Sequence, residues 1–236
     1  MTDLYRIPGA SFAANANAQN LSAYGYLPDG NRDGLYRLND SSLTNDGDAG
    51  LSALSFAGTA SGAELPTWAD GVLTVPKPAT ASSYYSTGIT LASLKAFTVY
   101  GVMYVPATAA LFNVFEIPAS TSVYVRCNSG TIETNYATGS ALLTNNLGGW
   151  TSFVVCYGAT NIRAIGPRGV LKTFTYNGTP PTTSPLLRIG SSSTGSYAWQ
   201  GKYALFGAFN RELTDDEMEA VRNGMRVFAA AKNIRI

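Results

Sequence analysis

The chain has 236 residues, a formal net charge of +1 and no histidine, and only 13% of its residues are charged. That charged share is about half of the share in an average soluble domain. The sequence holds no Lys/Arg cluster and no apolar run near the ~20 residues of a membrane span, which argues against nucleic-acid binding and membrane insertion. Without histidine, the most common general base and transition-metal ligand are missing.

Residues 1–30 differ from the rest of the chain. The stretch at 10–20 is rich in Ala and Asn and has no hydrophobic period, so it lacks the apolar content of a core. We expect an extended arm that orders only against a partner. The N-terminus lacks the basic start and apolar stretch of a signal peptide, which predicts synthesis in the cytoplasm.

From residue 34 onward, apolar stretches bounded by turn residues predict strands. The continuous apolar stretch at 96–105 predicts a central strand that is buried on both faces. The segments at 70–71, 128–130 and 166–169 contain the Gly, Asn, Asp and Pro residues that tight turns require. The predicted strands span 35–38, 71–76, 96–105, 110–117, 122–127, 131–136, 150–157, 161–165, 170–176, 186–189 and 199–209.

Near the C-terminus the hydrophobic period becomes helical. Thr214 and Glu217 have the spacing of a capping box, and acidic residues fill the first turn, where they favour the helix dipole. The pattern predicts a helix over 215–231. Many strands followed by one helix predict an all-β fold over residues 31–236, a two-sheet antiparallel sandwich with a short C-terminal α-helix. The apolar residues of the helical pattern are Met218, Val221, Met225 and Phe228.

The two cysteines, Cys127 and Cys156, each lie in an apolar strand pattern. Two isolated cysteines do not make the disulfide framework of a small secreted domain. We therefore expect two buried free thiols, with a disulfide as the alternative.

The C-terminal third carries several features in a specific order. They are a strand opening at Trp150, a strand and Asn-Gly turn at 172–178, a short strand at 187–190, a closing strand from Trp199, and the segment Asn210-Arg211-Glu212-Leu213 before the final helix. Over residues 34–230 this order resembles the laminin-G-like jelly rolls of the concanavalin A-like lectin/glucanase superfamily. The resemblance implies a jelly-roll sandwich.

With a low-complexity arm and an Ala-rich final helix, the chain also resembles such domains in bacteriophage virion proteins: tail fibres, tail tips and capsid decorations. This analogy implies a non-catalytic virion structural protein, made in the host cytoplasm. Its lectin-like domain would attach to host-surface glycans or decorate the particle. The implied partners are further copies of itself in a homo-oligomer, neighbouring virion proteins reached through residues 1–30, and bacterial surface polysaccharide. Two alternatives stay open: a free carbohydrate-binding module or glycan-active enzyme, and a structural spacer that contacts only neighbouring subunits.

Catalysis has little support in the sequence. Glycoside hydrolysis commonly uses two carboxylates that flank the bond, and the Glu-x-Asp-x-x-Glu motif of the superfamily's glucanases is absent. Between residues 71 and 211 the only acids are Glu116 and Glu133, on different predicted strands. We interpret them as unconnected surface carboxylates. An enzyme would require both to face one groove.

Two sets of residues are candidates for binding. Asp40, Asp46 and Asp48, with Asn45, place hard oxygen ligands in one loop, as calcium prefers, although the same residue types are common in ordinary turns. Calcium is the one cofactor that this chemistry suits. Four tyrosines lie in polar segments that we expect to be loops, where they would contact a glycan or a protein interface; these are Tyr84, Tyr85, Tyr136 and Tyr197.

Overall fold

A computed structural model describes residues 32–37, 53–77, 81–90, 95–107, 111–118, 123–136, 139–145, 148–176, 186–191 and 197–236. These ranges hold fifteen strands, a short 3-10 turn at Gly62–Glu64 and a C-terminal helix. The strands are β1 (Arg32–Arg37), β2 (Ser55–Phe56), β3 (Thr67–Ala69), β4 (Val72–Val75), β5 (Ser83–Thr90), β6 (Phe97–Val105), β7 (Leu111–Ile117), β8 (Val123–Asn128), β9 (Thr131–Tyr136), β10 (Gly139–Asn145), β11 (Gly149–Tyr157), β12 (Asn161–Ile165), β13 (Leu171–Thr175), β14 (Leu186–Ser191) and β15 (Gly201–Phe209); the helix is α1 (Asp215–Ala231).

The strands form two antiparallel sheets. One sheet has eight strands in the order β13-β12-β11-β6-β15-β4-β3, with β1 also paired to β15. The other has seven strands in the order β10-β9-β8-β7-β14-β5-β2. The predicted fold class, a two-sheet antiparallel sandwich with a C-terminal helix, is confirmed.

Three predicted turns are also confirmed. The hairpin between β8 and β9 turns at Ser129 and Gly130, which both have positive φ, as a two-residue loop of this kind requires. Asp70 and Gly71 do the same between β3 and β4. The turn at 166–169 closes through a hydrogen bond from the Gly169 amide to the Gly166 carbonyl.

The main core lies between the two sheets. Side chains alternate along each strand, so one face of β6 contributes Val99 and Met103 while β7 contributes Phe115 from the opposite sheet. The rings of Phe97 and Tyr157 stack within this core, with centroids 4.3 Å apart.

A second core fills the space between the eight-stranded sheet and α1. Tyr100 and Val102, from the other face of β6, join the buried residues of the helix. Strand β6 is therefore buried on both faces, as its continuous apolar sequence predicted. The helix has its predicted bounds and capping box, and its principal contacts are with β11, β6 and β12. The outer face of the seven-stranded sheet consequently lies on the side of the sandwich away from α1.

The segment that contains Tyr84 and Tyr85 corrects the sequence analysis. It was expected to be a loop, but it forms the eight-residue strand β5. The inward positions of β5 include Ser83 and Thr87 beside Tyr85 and Ile89, so the apolar alternation that marks a strand is interrupted. Strands β2, β3 and β10 were likewise not predicted.

Both cysteines are free and buried, in agreement with the sequence analysis. Burial raises the pKa of the Cys127 thiol to about 11 and also raises the pKa of Cys156. The α-helix of the described part is neither long nor apolar enough to cross a membrane.

Candidate functional site

A row of polar side chains crosses the outer face of the seven-stranded sheet. The register places Arg188 of β14 opposite Glu116 of β7, and Glu116 opposite Tyr124 of β8. Since Phe115 and Ile189 point into the core, strand alternation directs their neighbours Glu116 and Arg188 to the outer face. Aligned cross-strand side chains of this kind are close enough to interact.

A second row lies beside the first. Arg126 of β8 is opposite both Asn113 of β7 and Glu133 of β9. Its guanidinium forms an ion pair with Glu133 and donates a hydrogen bond of 3.0 Å to the Tyr124 hydroxyl. Asn128 donates a further bond of 3.3 Å to the Glu133 carboxylate. We call these two rows, together with Tyr84 and Ser86 of β5, the outer polar face.

The carboxylates form the lower layer of the outer polar face. Glu116 and Glu133 are only 5% and 7% exposed. Glu116 accepts a hydrogen bond of 2.9 Å from the Ser191 hydroxyl, and Ser191 accepts one of 3.4 Å from the Asn113 amide. This buried network fixes the base of the site, because buried polar groups are held by their partners.

The upper layer consists of tyrosines and arginines. Tyr84, Tyr124, Arg126 and Arg188 are all half-buried. The Arg188 guanidinium lies over the Tyr84 ring at 4.8 Å, and that of Arg126 over the Tyr124 ring at 5.1 Å. A ligand that approaches this face therefore meets cations stacked on aromatic rings, with the carboxylates beneath them.

The four tyrosines that were predicted to contact a glycan or a protein interface lie in different environments. Tyr84 belongs to the outer polar face, although on a strand. Tyr85 points the other way, is 2% exposed and packs against Phe56 and Trp199, so its predicted role as a surface contact is wrong. Burial raises its pKa to about 12. Tyr197 is 42% exposed, and Tyr136 ends β9, where its side chain lies outside the described residues.

The predicted calcium ligands Asp40, Asp46 and Asp48 lie outside the described residues, as does the N-terminal arm at 1–30. Elsewhere, in the ranges that the structure describes, no group of three or more His, Cys, Asp or Glu side chains is placed to hold a metal ion. Calcium binding stays a prediction.

The interpretation of Glu116 and Glu133 as surface carboxylates is wrong. Both are buried, and both lie on the same face of one sheet. They are separated by β8, a lateral distance of two strand spacings or about 10 Å. Arg126 and Tyr124, on that intervening strand, lie between the two carboxylates, and Glu133 forms an ion pair with Arg126.

Sequence reasoning missed Tyr124, Arg126 and Arg188 as site residues. For Tyr124 and Arg126 the signal is a polar group at every second position of a strand that is otherwise apolar, and for Arg188 it is a single charge in an apolar strand of a chain with few charges. What the sequence does not give is the pairing of β14 with β7, which brings Arg188 next to Glu116.

Two open depressions lie at the ends of α1, on the other side of the sandwich. The larger, of about 680 Å³, is lined by polar and aliphatic residues around Arg226 and Ile236. The smaller, of about 460 Å³, surrounds the ion pair of Arg163 with Asp215. Neither is lined by an aromatic side chain, whereas the outer polar face combines rings with several hydrogen-bonding groups, which is the composition of a ligand site.

No protein-family model matches the sequence, and no curated protein sequence matches it. Solved structures do match. The botulinum neurotoxin serotype D binding domain superposes with a TM-score of 0.61 at 8% identity, covering 83% of this chain and 51% of that one. The serotype D ligand binding domain in complex with N-acetylneuraminic acid gives 0.60 at 9%, covering 82% and 51%.

A Trypanosoma rangeli sialidase in complex with sialic acid gives a TM-score of 0.58 at 9% identity, covering 83% of this chain and 33% of that one. The chain thus spans about half the length of the neurotoxin domains and a third of the sialidase. At these identities the likeness concerns the fold alone. Together with the sheet topology it shows a two-sheet antiparallel jelly-roll sandwich.

Proposed function

We propose that the chain is a non-catalytic, lectin-like module that binds glycans on the outer polar face. The observation that carries this proposal is the alignment of tyrosines, arginines and buried hydrogen-bonded carboxylates across adjacent strands of one sheet. Tyrosine rings pack on the apolar faces of sugars, while Arg and Asn groups bond to their oxygens. Rigid strands hold these groups in place without the cost of ordering a loop.

The structural relatives support the same class of ligand, since one neurotoxin domain was solved with N-acetylneuraminic acid bound and the sialidase with sialic acid. The chain's own geometry favours a binding module over an enzyme. Its two sheet acids are separated by a strand that carries Arg126 and Tyr124. Such an arrangement does not leave the open space between two carboxylates in which a glycosidic bond would sit.

Binding to an array of bacterial polysaccharides tests this proposal. We expect saturable binding that is lost on Tyr124→Ala, because the ring and its bond to Arg126 both disappear. Arg226→Ala, on the exposed side of α1, is the matched control and leaves binding unchanged. A spacer that contacts only neighbouring subunits would bind no glycan, and release of reducing ends from a bound polysaccharide would identify an enzyme.

The setting that we propose for this module is a bacteriophage virion, as a homo-oligomeric component of a tail fibre, tail tip or capsid decoration. The support is the Ala-rich final helix and the low-complexity segment at 10–20, by which the chain resembles such proteins. Residues 1–30 would then contact neighbouring virion proteins. Mass spectrometry of purified particles tests this setting: recovery in particles supports it, and recovery only in the host lysate contradicts it.

A further inference from the structure

Five arginines in the described part are half-buried or buried: Arg126, Arg163, Arg188, Arg211 and Arg222. Four of the five form ion pairs with carboxylates. Arg188 is the exception, because within the described part it makes neither a hydrogen bond nor an ion pair. A guanidinium has five donors in a planar fork and cannot lose its charge, so a partly desolvated one without an acceptor is unusual.

Arg188 lacks an ion pair even though an acid is close in the sheet. Glu116 is its direct cross-strand partner, yet the Glu116 carboxylate is buried and accepts from Ser191. The guanidinium instead lies over the Tyr84 ring, 4.8 Å from its centre. The stacking restricts the rotamers of Arg188 and leaves the edge of the fork available. The Tyr84 hydroxyl also makes no hydrogen bond in the described part, which adds a further donor.

The surrounding charges select the ligand. The charge of Arg126 is matched by Glu133, so within the described residues Arg188 is the one arginine of the upper layer that forms no ion pair. A carboxylate accepts two parallel bonds from a guanidinium, a stronger and more specific contact than a neutral hydroxyl makes.

We propose that Arg188, stacked on Tyr84, is the docking point for the carboxylate of an acidic saccharide, such as a uronic or a sialic acid. This inference rests on the proposed function and narrows it to a class of glycan. It predicts that the charge of the sugar, rather than its stereochemistry alone, decides binding at this site.

The test compares acidic polysaccharides with their uncharged counterparts. The probes are polygalacturonate, alginate, hyaluronan and polysialic acid, each beside a derivative in which the carboxylates are reduced or esterified. We expect isothermal titration calorimetry to show at least tenfold tighter binding of an acidic form than of its derivative. Arg188→Gln removes that preference, Arg188→Lys restores part of it, and binding of the acidic form weakens as salt is raised. Arg226→Gln, which removes an exposed arginine elsewhere, preserves the preference.

Two results would overturn the inference, and they differ in what they say of the proposed function. If the protein binds charged and uncharged forms equally, or if Arg188→Gln keeps the preference, glycan binding stands and the role of Arg188 does not. If none of the probes binds and the array is also negative, both fall. Far-ultraviolet circular dichroism of each variant separates loss of binding from loss of fold.

Discussion

Gly190 shows how a single residue links the core to the candidate site. It has φ of +89°, and a Cβ placed there would lie 2.5 Å from the Trp199 ring. Trp199 is fully buried and contacts Tyr85 and Tyr203. The absence of a side chain therefore lets β14 pack directly on this ring, two residues beyond Arg188.

We expect Gly190→Ala to lower the free energy of unfolding by about 2–4 kcal/mol, because it adds both a strained backbone conformation and a clash in a packed core. Gly62→Ala is the matched control. Gly62 also has positive φ, +58°, but a Cβ there meets nothing within 4 Å, so we expect a loss of only about 1 kcal/mol. Urea denaturation measures both values, and equal losses would show that the clash with Trp199 contributes nothing.

The buried thiols give a second expectation for single residues. Burial raises the pKa of Cys127 to about 11 and also raises the pKa of Cys156, and the thiolate is the reactive form. We expect the native protein at pH 8 to react with a thiol reagent such as DTNB only slowly, and the urea-unfolded protein to titrate both thiols at once. Fast, stoichiometric reaction of the native protein would contradict the buried placement.

At the scale of elements, a group of hydrogen bonds among Arg211, Thr214 and Glu217 holds the N-terminus of α1, and we call this group the clasp. Arg211 donates two hydrogen bonds, of 2.9 and 2.7 Å, to the Glu217 carboxylate. Glu217 also accepts from the Thr214 amide at 2.8 Å, and the Thr214 hydroxyl accepts from the Glu217 amide at 3.3 Å. The guanidinium of Arg211 and these bonds lower the pKa of Glu217 to about 2.

The lowered pKa fixes the direction of a pH effect. A carboxylate whose pKa is lower in the folded state stabilises the fold above its unfolded pKa of about 4.3, and this contribution is lost as pH falls towards 2. We expect Glu217→Gln to lower stability at pH 7 by about 1 kcal/mol, since the pair is partly exposed, and to differ little from the parent at pH 2. Thermal unfolding between pH 2 and 7 measures this, and Glu212→Gln is a nearby control. A difference that persists undiminished at pH 2 would argue against the clasp.

The comparison of α1 with β5 shows which elements the sequence predicts. The helix combines a capping box with apolar residues at helical spacing, and both of these signals are local. Strand β5 fills two inward positions with Ser83 and Thr87, whose polarity hides the alternation. The buried Thr87 hydroxyl donates a hydrogen bond of 2.7 Å to the Leu187 carbonyl. That contact depends on the neighbouring strand β14.

At the scale of the whole molecule, sequence reasoning predicts the fold class but not the site. The number of strands, their turns and the final helix are local properties. The outer polar face depends on the order β5-β14-β7-β8-β9, in which β14 joins two strands that precede it by a long stretch of chain. The pairing of β14 with β7 places Arg188 beside Glu116, and the pairing of β14 with β5 places it beside Tyr84. No local sequence pattern encodes these two pairings.

The two cores share strands, which predicts how the molecule unfolds. Strand β6 contributes Val99 to the core between the sheets and Tyr100 to the core under α1, so neither core can lose its packing without disturbing the other. We expect Phe115→Ala in the first core and Phe228→Ala in the second each to cost about 3–5 kcal/mol. Each variant would still unfold in one transition, with coincident urea curves from far- and near-ultraviolet circular dichroism. If Phe228→Ala instead produces an early transition in the near-ultraviolet signal alone, α1 detaches before the sandwich opens, and the cores are independent.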